Sequence, residues 1–398
     1  MRMLLRGAAA LAAVVSVASL TSGAAAQPRP EKPAGTTRAA AAQIPPGVTA
    51  GVAVYDRHAG AFTEQVNESA QFRSASVVKL LLALDFLWDR GPDYTIPAAD
   101  RARLEPMLRS SNDAAANYYW STYGGSAIID RMAHPDRLDL RDTQGPPAGY
   151  PGYWGYTAVS ARDTVAIYRY ILEKAPAPVR TFIMDNLRAS TRCASDKFDQ
   201  HFGIAGAFDR PWAVKQGWAG KYADGTCGPQ GAAGAARAAT GEGAGEAERP
   251  AARGAAELDL SRPALHSTGT VGADDRSIVA VLTTHPVGTS YGKAYTDIGR
   301  LTRSLNVPGG VRPAGTWFGT WSEFVNVRKG PTTGHDRITQ LPAGVEVLVG
   351  CQVRGQVVNV PPYSNDWWAY LPQYKGYISN IYISSPDNRL PNVPECAE

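Results

Sequence analysis

Ser76 and Lys79 stand three residues apart at the start of an almost wholly apolar segment that runs to Trp88. On a helix, positions i and i+3 share a face, so the two polar side chains point to the same place. The apolar residues that follow occupy every face, which predicts a helix buried on all sides. Burial lowers the pKa of a lysine, so Lys79 would be able to accept the proton of Ser76 and activate it as a nucleophile. The alternative is a serine that caps the helix and a lysine that extends to the surface.

Two more polar motifs follow along the chain. Ser110-Ser111-Asn112 lies between two predicted helices, where loop side chains can reach a cleft, and Lys215-Gln216-Gly217 stands at the end of a predicted strand. Ser-x-x-Lys, then Ser-x-Asn, then Lys-x-Gly is the order found in the penicillin-recognising serine enzymes. From about residue 46 to residue 306 the chain therefore resembles the class A β-lactamases and their serine D,D-peptidase relatives.

The resemblance implies catalytic roles for three side chains. Ser76 would be the acylated nucleophile, Lys79 its proton acceptor, and Ser110 the relay that passes a proton to the leaving nitrogen. The backbone N–H groups of Ser76 and Trp218 would form the oxyanion hole, where a single donor is worth about 3–4 kcal/mol in comparable enzymes.

The resemblance also implies substrate-binding roles. Asn112 would hydrogen-bond the substrate amide, and Lys215 would supply positive charge for a substrate carboxylate. The small Gly217 would let the strand approach the acyl group. Asn112 has a simpler alternative as the cap of the helix at Asp113, and Lys215 as an ordinary strand lysine.

Two departures from the family pattern bear on the expected activity. Gln216 replaces the usual Thr or Ser of the third motif, which weakens the case for carboxylate recognition. No Glu occurs between Glu105 and Glu173, the region that carries the deacylating Glu of class A β-lactamases. Without that base, water attack on an acyl-enzyme is expected to be slow.

These features predict a secreted serine hydrolase that forms an acyl-enzyme with β-lactams or D-Ala-type cell-wall peptides and deacylates slowly. The alternative is a catalytically idle cell-wall-binding protein that keeps the same scaffold. A rival nucleophile, Ser290 in Gly288-Thr289-Ser290-Tyr291-Gly292, matches Gly-x-Ser-x-Gly, but a hydrolase triad needs an acid and then a histidine downstream, and the only later histidine, His335, lies in the other predicted domain. We interpret that segment as a turn into a closing helix.

The first residues of the chain indicate export, and two segments have the composition of flexible chain. Residues 1–26 have the charged start, apolar core and small-residue cleavage site of a signal peptide. The apolar core is too short for a membrane span. A lipid anchor is not expected, because there is no cysteine near the cleavage site. Residues 27–46 form a predicted flexible linker, and residues 231–257, which lack large apolar side chains, a predicted disordered insertion.

The fold class predicted for residues 47–306 is α/β (α+β), a β-lactamase/transpeptidase-like domain with an antiparallel sheet and a helical subdomain. A Gly-, Pro- and Tyr-rich loop, residues 139–157, is either functional or held by its own aromatic packing. Short strands with turns between them predict a small all-β barrel over residues 318–384, which resembles bacterial SH3-type domains, and a tail follows at 385–398. Such modules often attach exported enzymes to the cell wall, and the alternative is a spacer.

Four cysteines suit an oxidising compartment, and pairing within each predicted domain gives Cys193–Cys227 and Cys351–Cys396. No two cysteines are close in sequence and the six histidines are scattered, so no metal site and no cofactor are predicted. The net charge of +4 includes two arginines of the predicted signal, and no basic stripe indicates a nucleic-acid partner.

Overall fold

The computed structural model describes residues 42–220, 222, 225, 227 and 258–397. The predicted signal peptide, residues 1–26, and the predicted insertion, residues 231–257, lie outside the described residues, as does most of the predicted linker. Up to residue 304 the elements in chain order are β1 (Thr49–Asp56), β2 (Ala61–Val66), β3 (Phe72–Arg73), α1 (Lys79–Trp88), α2 (Ala98–Arg109), α3 (Asp113–Thr122), α4 (Ala127–Ala133), β4 (Ala158–Val159), α5 (Ala161–Arg169), α6 (Ala177–Arg188), α7 (Ile204–Ala207), β5 (Trp212–Ala219), β6 (Ala264–Val271), β7 (Ser277–Thr284) and α8 (Tyr291–Ser304).

A five-stranded antiparallel sheet joins the two ends of this region. The strand order is β2-β1-β7-β6-β5, so β5, which carries the third sequence motif, is an edge strand. Every residue of β5, β6 and β7 is buried, because helices cover one face of the sheet and helices with C-terminal strands cover the other. The predicted antiparallel sheet and the mixed helical content are confirmed.

Helix α1 is the centre of the helical layer. Its apolar side chains pack against α2, α3, α4 and α6, and Leu80, Leu81 and Leu82 are fully buried. This confirms the helix buried on almost all sides that the apolar run predicts. Strand β2 and helices α4 and α6 were not predicted from the sequence, since their apolar residues are fewer and interrupted by charges.

The strands after residue 315 form two sheets. They are β8 (Thr316–Gly319), β9 (Val325–Arg328), β10 (Arg337–Leu341), β11 (Glu346–Val349), β12 (Cys351–Val360), β13 (Tyr363–Leu371) and β14 (Gly376–Ser379). One sheet has the order β10-β9-β14-β13-β12, and β11 pairs with β8 alone. Among the described residues these pairings do not close a single barrel, so the SH3-like barrel stays a prediction.

The C-terminal strands pack directly against α8. A Cβ on Gly292 would lie 2.0 Å from the carbonyl oxygen of Ala343, so only glycine permits this approach of helix and loop. Arg300 and Arg303 of the helix both bind the carboxylate of Glu346. The apolar core under α8 is continuous with that of β9–β14.

Both predicted cysteine pairs are disulfide-bonded, Cys193 to Cys227 and Cys351 to Cys396. The first ties down the segment between α6 and α7, and the second fastens the C-terminal segment to the start of β12. In the part of the chain that the structure describes, no helix is both long and apolar enough for a membrane crossing.

Candidate active site

Ser76 lies in a 3-10 turn, Ala75–Val78, that leads straight into α1. Ala75 has a φ of +44°, a left-handed conformation that costs an alanine energy and is common at functional sites. The turn packs against strand β5, where a Cβ on Gly217 would lie 3.0 Å from the Ser74 carbonyl oxygen and 3.3 Å from the Ser76 nitrogen. Glycine at this position therefore permits the close approach of the edge strand to Ser76.

Lys79 is fully buried, and its ammonium group is surrounded by oxygen atoms. Nζ lies 2.9 Å from Ser76 Oγ, 2.6 Å from the Ser111 carbonyl oxygen and 3.1 Å from Ser111 Oγ. The Asp113 carboxylate is 2.5 Å away. Burial lowers the pKa of Lys79, and the charge and hydrogen bond of Asp113 act in the opposite direction. The spacing of Ser76 and Lys79 thus produces the contact that the sequence predicts.

The serine that faces Lys79 is Ser111, and this corrects the sequence-based assignment to Ser110. Ser111 is buried and has a φ of +57°, so the chain turns sharply and directs this side chain inwards. Ser110 Oγ instead donates to the Pro106 carbonyl oxygen at 3.0 Å and lies 2.8 Å from Ser195 Oγ. The motif is therefore shifted by one residue.

The same shift changes the assignment of Asn112. Its side chain caps α3, with Oδ1 accepting the backbone N–H of Ala115 at 2.9 Å, as the simpler interpretation of the sequence has it. The residue that extends to Lys79 is Asp113, whose side chain is 25% exposed and so also borders open space. An ionised carboxylate accepts hydrogen bonds but cannot donate one, unlike the predicted asparagine.

Lys215 extends from β5 to the same serine. Its Nζ lies 2.9 Å from Ser111 Oγ and 2.9 Å from the Gln216 carbonyl oxygen. The Ser111 hydroxyl therefore connects two buried ammonium groups. Burial lowers the pKa of Lys215 well below its usual value, and the positive charge of Lys79 lowers it further. This arrangement favours a shared proton over two full charges.

Gln216 does not face the site through its side chain. Nε2 donates to the carbonyl oxygens of Gln200 and Phe202, on the opposite face of the sheet, while Oε1 is buried without a partner. Its backbone carbonyl turns to the open edge of β5, where it meets Lys215. Since backbone groups alternate along an antiparallel ladder, the N–H of Trp218 faces the same open edge. That is the direction the predicted oxyanion hole requires.

Asp196 is a neighbour of the site that the sequence did not identify. Its Oδ1 accepts the backbone N–H of Phe198 at 3.0 Å and its Oδ2 the indole N–H of Trp218 at 3.3 Å. Burial raises the pKa of Asp196, and the nearby negative charge of Asp113 raises it further. The Trp218 ring stacks on Phe198 with ring centroids 4.8 Å apart, which holds this segment against β5.

Trp154 is the second residue that sequence reasoning missed as part of the site. Lys79 Nζ lies 4.7 Å from the centre of the Trp154 ring, within the range of a cation–π contact. The indole N–H donates to Asn117 Oδ1 at 2.7 Å, which fixes the ring. Within the aromatic loop, Tyr153 and Tyr156 stack on each other with ring centroids 5.2 Å apart, a contact of the kind that the packing interpretation of this loop predicts. The signal for Trp154 was only its presence in a long aromatic loop.

The rival serine, Ser290, is not part of the cluster. Its Oγ caps α8 by accepting the backbone N–H of Lys293 at 3.3 Å. The Lys293 ammonium binds both carboxylate oxygens of Asp297 at 2.5 Å. This agrees with a turn into the closing helix.

Sequence comparisons give a partial relationship. No family model matches the chain. Three curated proteins named "Putative lipoprotein LppW", from Mycobacterium bovis and two strains of Mycobacterium tuberculosis, are 37% identical over 177 residues, which is 43% of this chain and 54% of each relative. The chain thus spans about half the length of the curated relatives it matches.

Structure comparisons give similar chains at low identity. They include PBP-A, a class A β-lactamase from Mycobacterium abscessus and the β-lactamase from Streptomyces albus G, each with a TM-score of 0.43 and 16% sequence identity. Each match covers 65% of this chain; it covers 89% of PBP-A and 92% of the two β-lactamases.

Proposed function

We propose that this chain is an exported serine acyl-enzyme of the penicillin-recognising type, acting on β-lactams or D-Ala-type cell-wall peptides. The observation that carries the proposal is the fully buried Lys79, whose Nζ lies 2.9 Å from Ser76 Oγ. A serine alone is a weak nucleophile, and a buried amine beside it is one of the ways in which proteins activate it. The edge strand with Gly217 and the Trp218 N–H completes a surface on which a carbonyl group fits.

Acylation would proceed in two proton transfers. Ser76 Oγ attacks the substrate carbonyl carbon while its proton passes to a neutral Lys79, and the carbonyl oxygen becomes an oxyanion held by the Ser76 and Trp218 N–H groups. The carbon–nitrogen bond then breaks, and the leaving nitrogen takes a proton through Ser111, which contacts both lysines. The products are an ester on Ser76 and an amine, which departs from a peptide substrate but stays attached to the acyl group of a ring-opened β-lactam, so atoms and charge balance.

Deacylation is expected to be slow. Water must attack the ester, and a base must remove its proton. The two glutamates nearest in sequence to the aromatic loop are paired with arginines elsewhere, Glu105 with Arg101 and Glu173 with Arg169. On the side of the loop, the residue that contacts Lys79 is Trp154, whose ring carries no base.

We place the enzyme outside the cytoplasm. Two disulfides are typical of an oxidising compartment. The residues 1–26 pattern of a signal peptide supports export, and the similar mycobacterial proteins bear a lipoprotein name. Residues 318–384 would hold the enzyme at the cell wall, where D-Ala-type peptides are concentrated.

The test is the intact mass of the protein after incubation with benzylpenicillin. We expect an adduct of one penicillin that persists for at least minutes and is absent in Ser76→Ala. The absence of an adduct at any concentration would overturn the acyl-enzyme proposal, and rapid loss of the adduct would refute the slow deacylation alone.

One observation favours a second candidate, a catalytically idle cell-wall-binding protein. The Asp113 carboxylate, 2.5 Å from Lys79, favours the protonated lysine, which cannot accept a proton from Ser76. Sedimentation with purified peptidoglycan distinguishes the candidates. If the native protein and Ser76→Ala bind equally, and neither an adduct nor turnover is seen, the idle protein is favoured. If residues 318–384 alone do not sediment with peptidoglycan, they have no anchoring role.

A further inference from the structure

The charges around Ser76 differ from those expected of a site for anionic substrates. The side chain of Gln216 binds backbone carbonyls on the far face of the sheet, and Lys215 is 1% exposed and occupied by Ser111 and the Gln216 carbonyl oxygen. The Gln216 side chain therefore presents no donor to a substrate carboxylate, and the buried Lys215 ammonium already directs two of its three N–H donors to protein oxygens. A partly exposed carboxylate, Asp113, stands instead beside the catalytic lysine, at 25% exposure.

Asp113 also changes which substrate group can be bound beside Ser76. An ionised carboxylate repels the oxygen of an acylamino carbonyl, since both groups only accept hydrogen bonds. An ammonium group is its natural partner, through a charge-assisted hydrogen bond. A carboxylate has about four acceptor positions, so one contact with Lys79 leaves capacity for a substrate.

We propose, resting on the proposed function, that the preferred acyl donor carries a free α-ammonium group, as an amino-acid amide or the amino end of a peptide does, and that Asp113 binds it. The α-nitrogen of such a donor is two bonds from the carbonyl carbon that Ser76 attacks. The Lys79 ammonium contacts both Asp113, at 2.5 Å, and Ser76, at 2.9 Å, so the carboxylate and the nucleophile lie close together. An ammonium bound at Asp113 therefore lies next to the reacting carbonyl.

This substrate also resolves the protonation of Lys79. In the free protein burial lowers the pKa of Lys79, whereas Asp113 opposes this shift by favouring the charged lysine, which is inactive as a base. A substrate ammonium at Asp113 places a second positive charge near Lys79 and takes over the pairing with the carboxylate. Lys79 then gives up its proton more readily, because like charges disfavour each other in a buried site. Two other titratable groups face the site, Lys215 on β5 and Asp196 on the segment after α6. Burial disfavours the charged form of each, lowering the pKa of Lys215 and raising that of Asp196.

The experiment compares two acyl donors that differ only at the nitrogen, alanine p-nitroanilide and N-acetylalanine p-nitroanilide, each as both enantiomers. The release of p-nitroaniline in the first turnover gives the acylation kcat/KM of each. At pH 7 we expect the native protein to prefer the free amine at least about tenfold, the ratio that one charge-assisted hydrogen bond sustains. The preference should fall above about pH 8, where an α-amino group loses its charge.

Two variants make the ratio diagnostic. Asp113→Asn, which can donate to an acylamino carbonyl, should abolish or reverse the preference. Asp136→Asn, at a carboxylate that is 89% exposed, makes the same chemical change elsewhere and should keep it. Because each ratio is taken within one protein, a general loss of activity cancels.

The outcomes separate this inference from the proposed function. The inference is overturned if the two donors react at equal rates, if the acetylated donor is preferred, or if the preference for the free amine survives in Asp113→Asn. In each of these cases an adduct on Ser76 would still support the proposed function. If neither donor nor benzylpenicillin acylates Ser76, both fall. Should Asp113→Asn not fold, the pH dependence of the native ratio decides, because only recognition of the ammonium requires it.

Discussion

Replacing Ser111 with alanine removes the hydroxyl that connects two buried lysines. Its Oγ lies 3.1 Å from Lys79 Nζ and 2.9 Å from Lys215 Nζ, and both lysines are at most 1% exposed. A hydrogen bond to a charged group contributes about 1.5–3 kcal/mol, so losing two would cost at most about 6 kcal/mol. Either lysine can lose its proton instead, and we therefore expect a loss of about 2–4 kcal/mol in the free energy of unfolding.

The same variant should slow acylation. Without the hydroxyl, no group links the two lysines to the leaving nitrogen, and positioned proton transfer is typically worth a factor of about 10² to 10⁴. Ser110→Ala is the matched control, since among the described residues the hydrogen bonds of its Oγ go to the Pro106 carbonyl oxygen and to Ser195 Oγ, away from both lysines. It should change stability by less than about 1 kcal/mol, as a partly exposed hydroxyl does.

The measurements are urea unfolding for stability and the time course of the penicillin adduct for acylation, both for the two single variants. The urea transition also establishes that Ser111→Ala is folded before its rate is interpreted. An acylation rate in Ser111→Ala equal to that of the native protein would refute the proposed relay. If acylation slows equally in Ser110→Ala and Ser111→Ala, the assignment of the proton relay to Ser111 rather than Ser110 is refuted.

Three further predictions follow from contacts elsewhere. Gly217→Ala brings a Cβ to 3.3 Å from the Ser76 nitrogen, so we expect a stability loss of about 1–3 kcal/mol and a slower penicillin adduct, measured as above. Burial lowers the pKa of His266 to about 4, whereas in the unfolded chain it is about 6.5. Between these two pH values the unfolded state binds a proton that the folded state does not, so the free energy of unfolding decreases as the pH falls. At pH 4.5 His266 should cost about 2–3 kcal/mol, and His266→Gln should flatten this part of the pH dependence of urea unfolding; an unchanged slope would contradict it. Replacing Cys193 and Cys227 by serine opens a disulfide that spans 34 residues and should cost about 2–4 kcal/mol in thermal unfolding, whereas no change would mean that the segment is held by packing alone.

The main elements follow from local sequence rules. The apolar run after Ser76 predicts the buried helix α1, and the run of apolar and β-branched residues at Ser277–Thr284 predicts a strand with the bounds that β7 has. The disulfides are the pairs expected from the predicted domains, and each joins two cysteines that are successive in the sequence. In each case the information lies in neighbouring residues or in composition.

The site required knowledge of how the loops fold. Ser110 and Ser111 are equivalent by type and spacing, and only the left-handed backbone of Ser111 selects the one that turns inwards. Asp196 and Trp154 reach the site from segments far away in sequence, so no short motif contains them. The one-residue shift also replaced an amide by a carboxylate beside Lys79, which reverses the expected polarity of that position.

The packing of the C-terminal strands has a consequence for reach. Arg192, between α6 and α7, is placed against the Tyr374 ring and donates to the Gln373 carbonyl oxygen, and Gln373 donates to Gly206, so the segment that carries Asp196 is braced by C-terminal residues. A flexible linker would let an enzyme sweep a volume around its anchor. Here a surface held by the C-terminal strands would meet Ser76 at one distance and one angle. On the proposed function, an enzyme anchored to the cell wall through these strands would act only on wall peptides that lie at that distance and angle from the anchor, so the spacing of the peptides would limit how many of them it reaches.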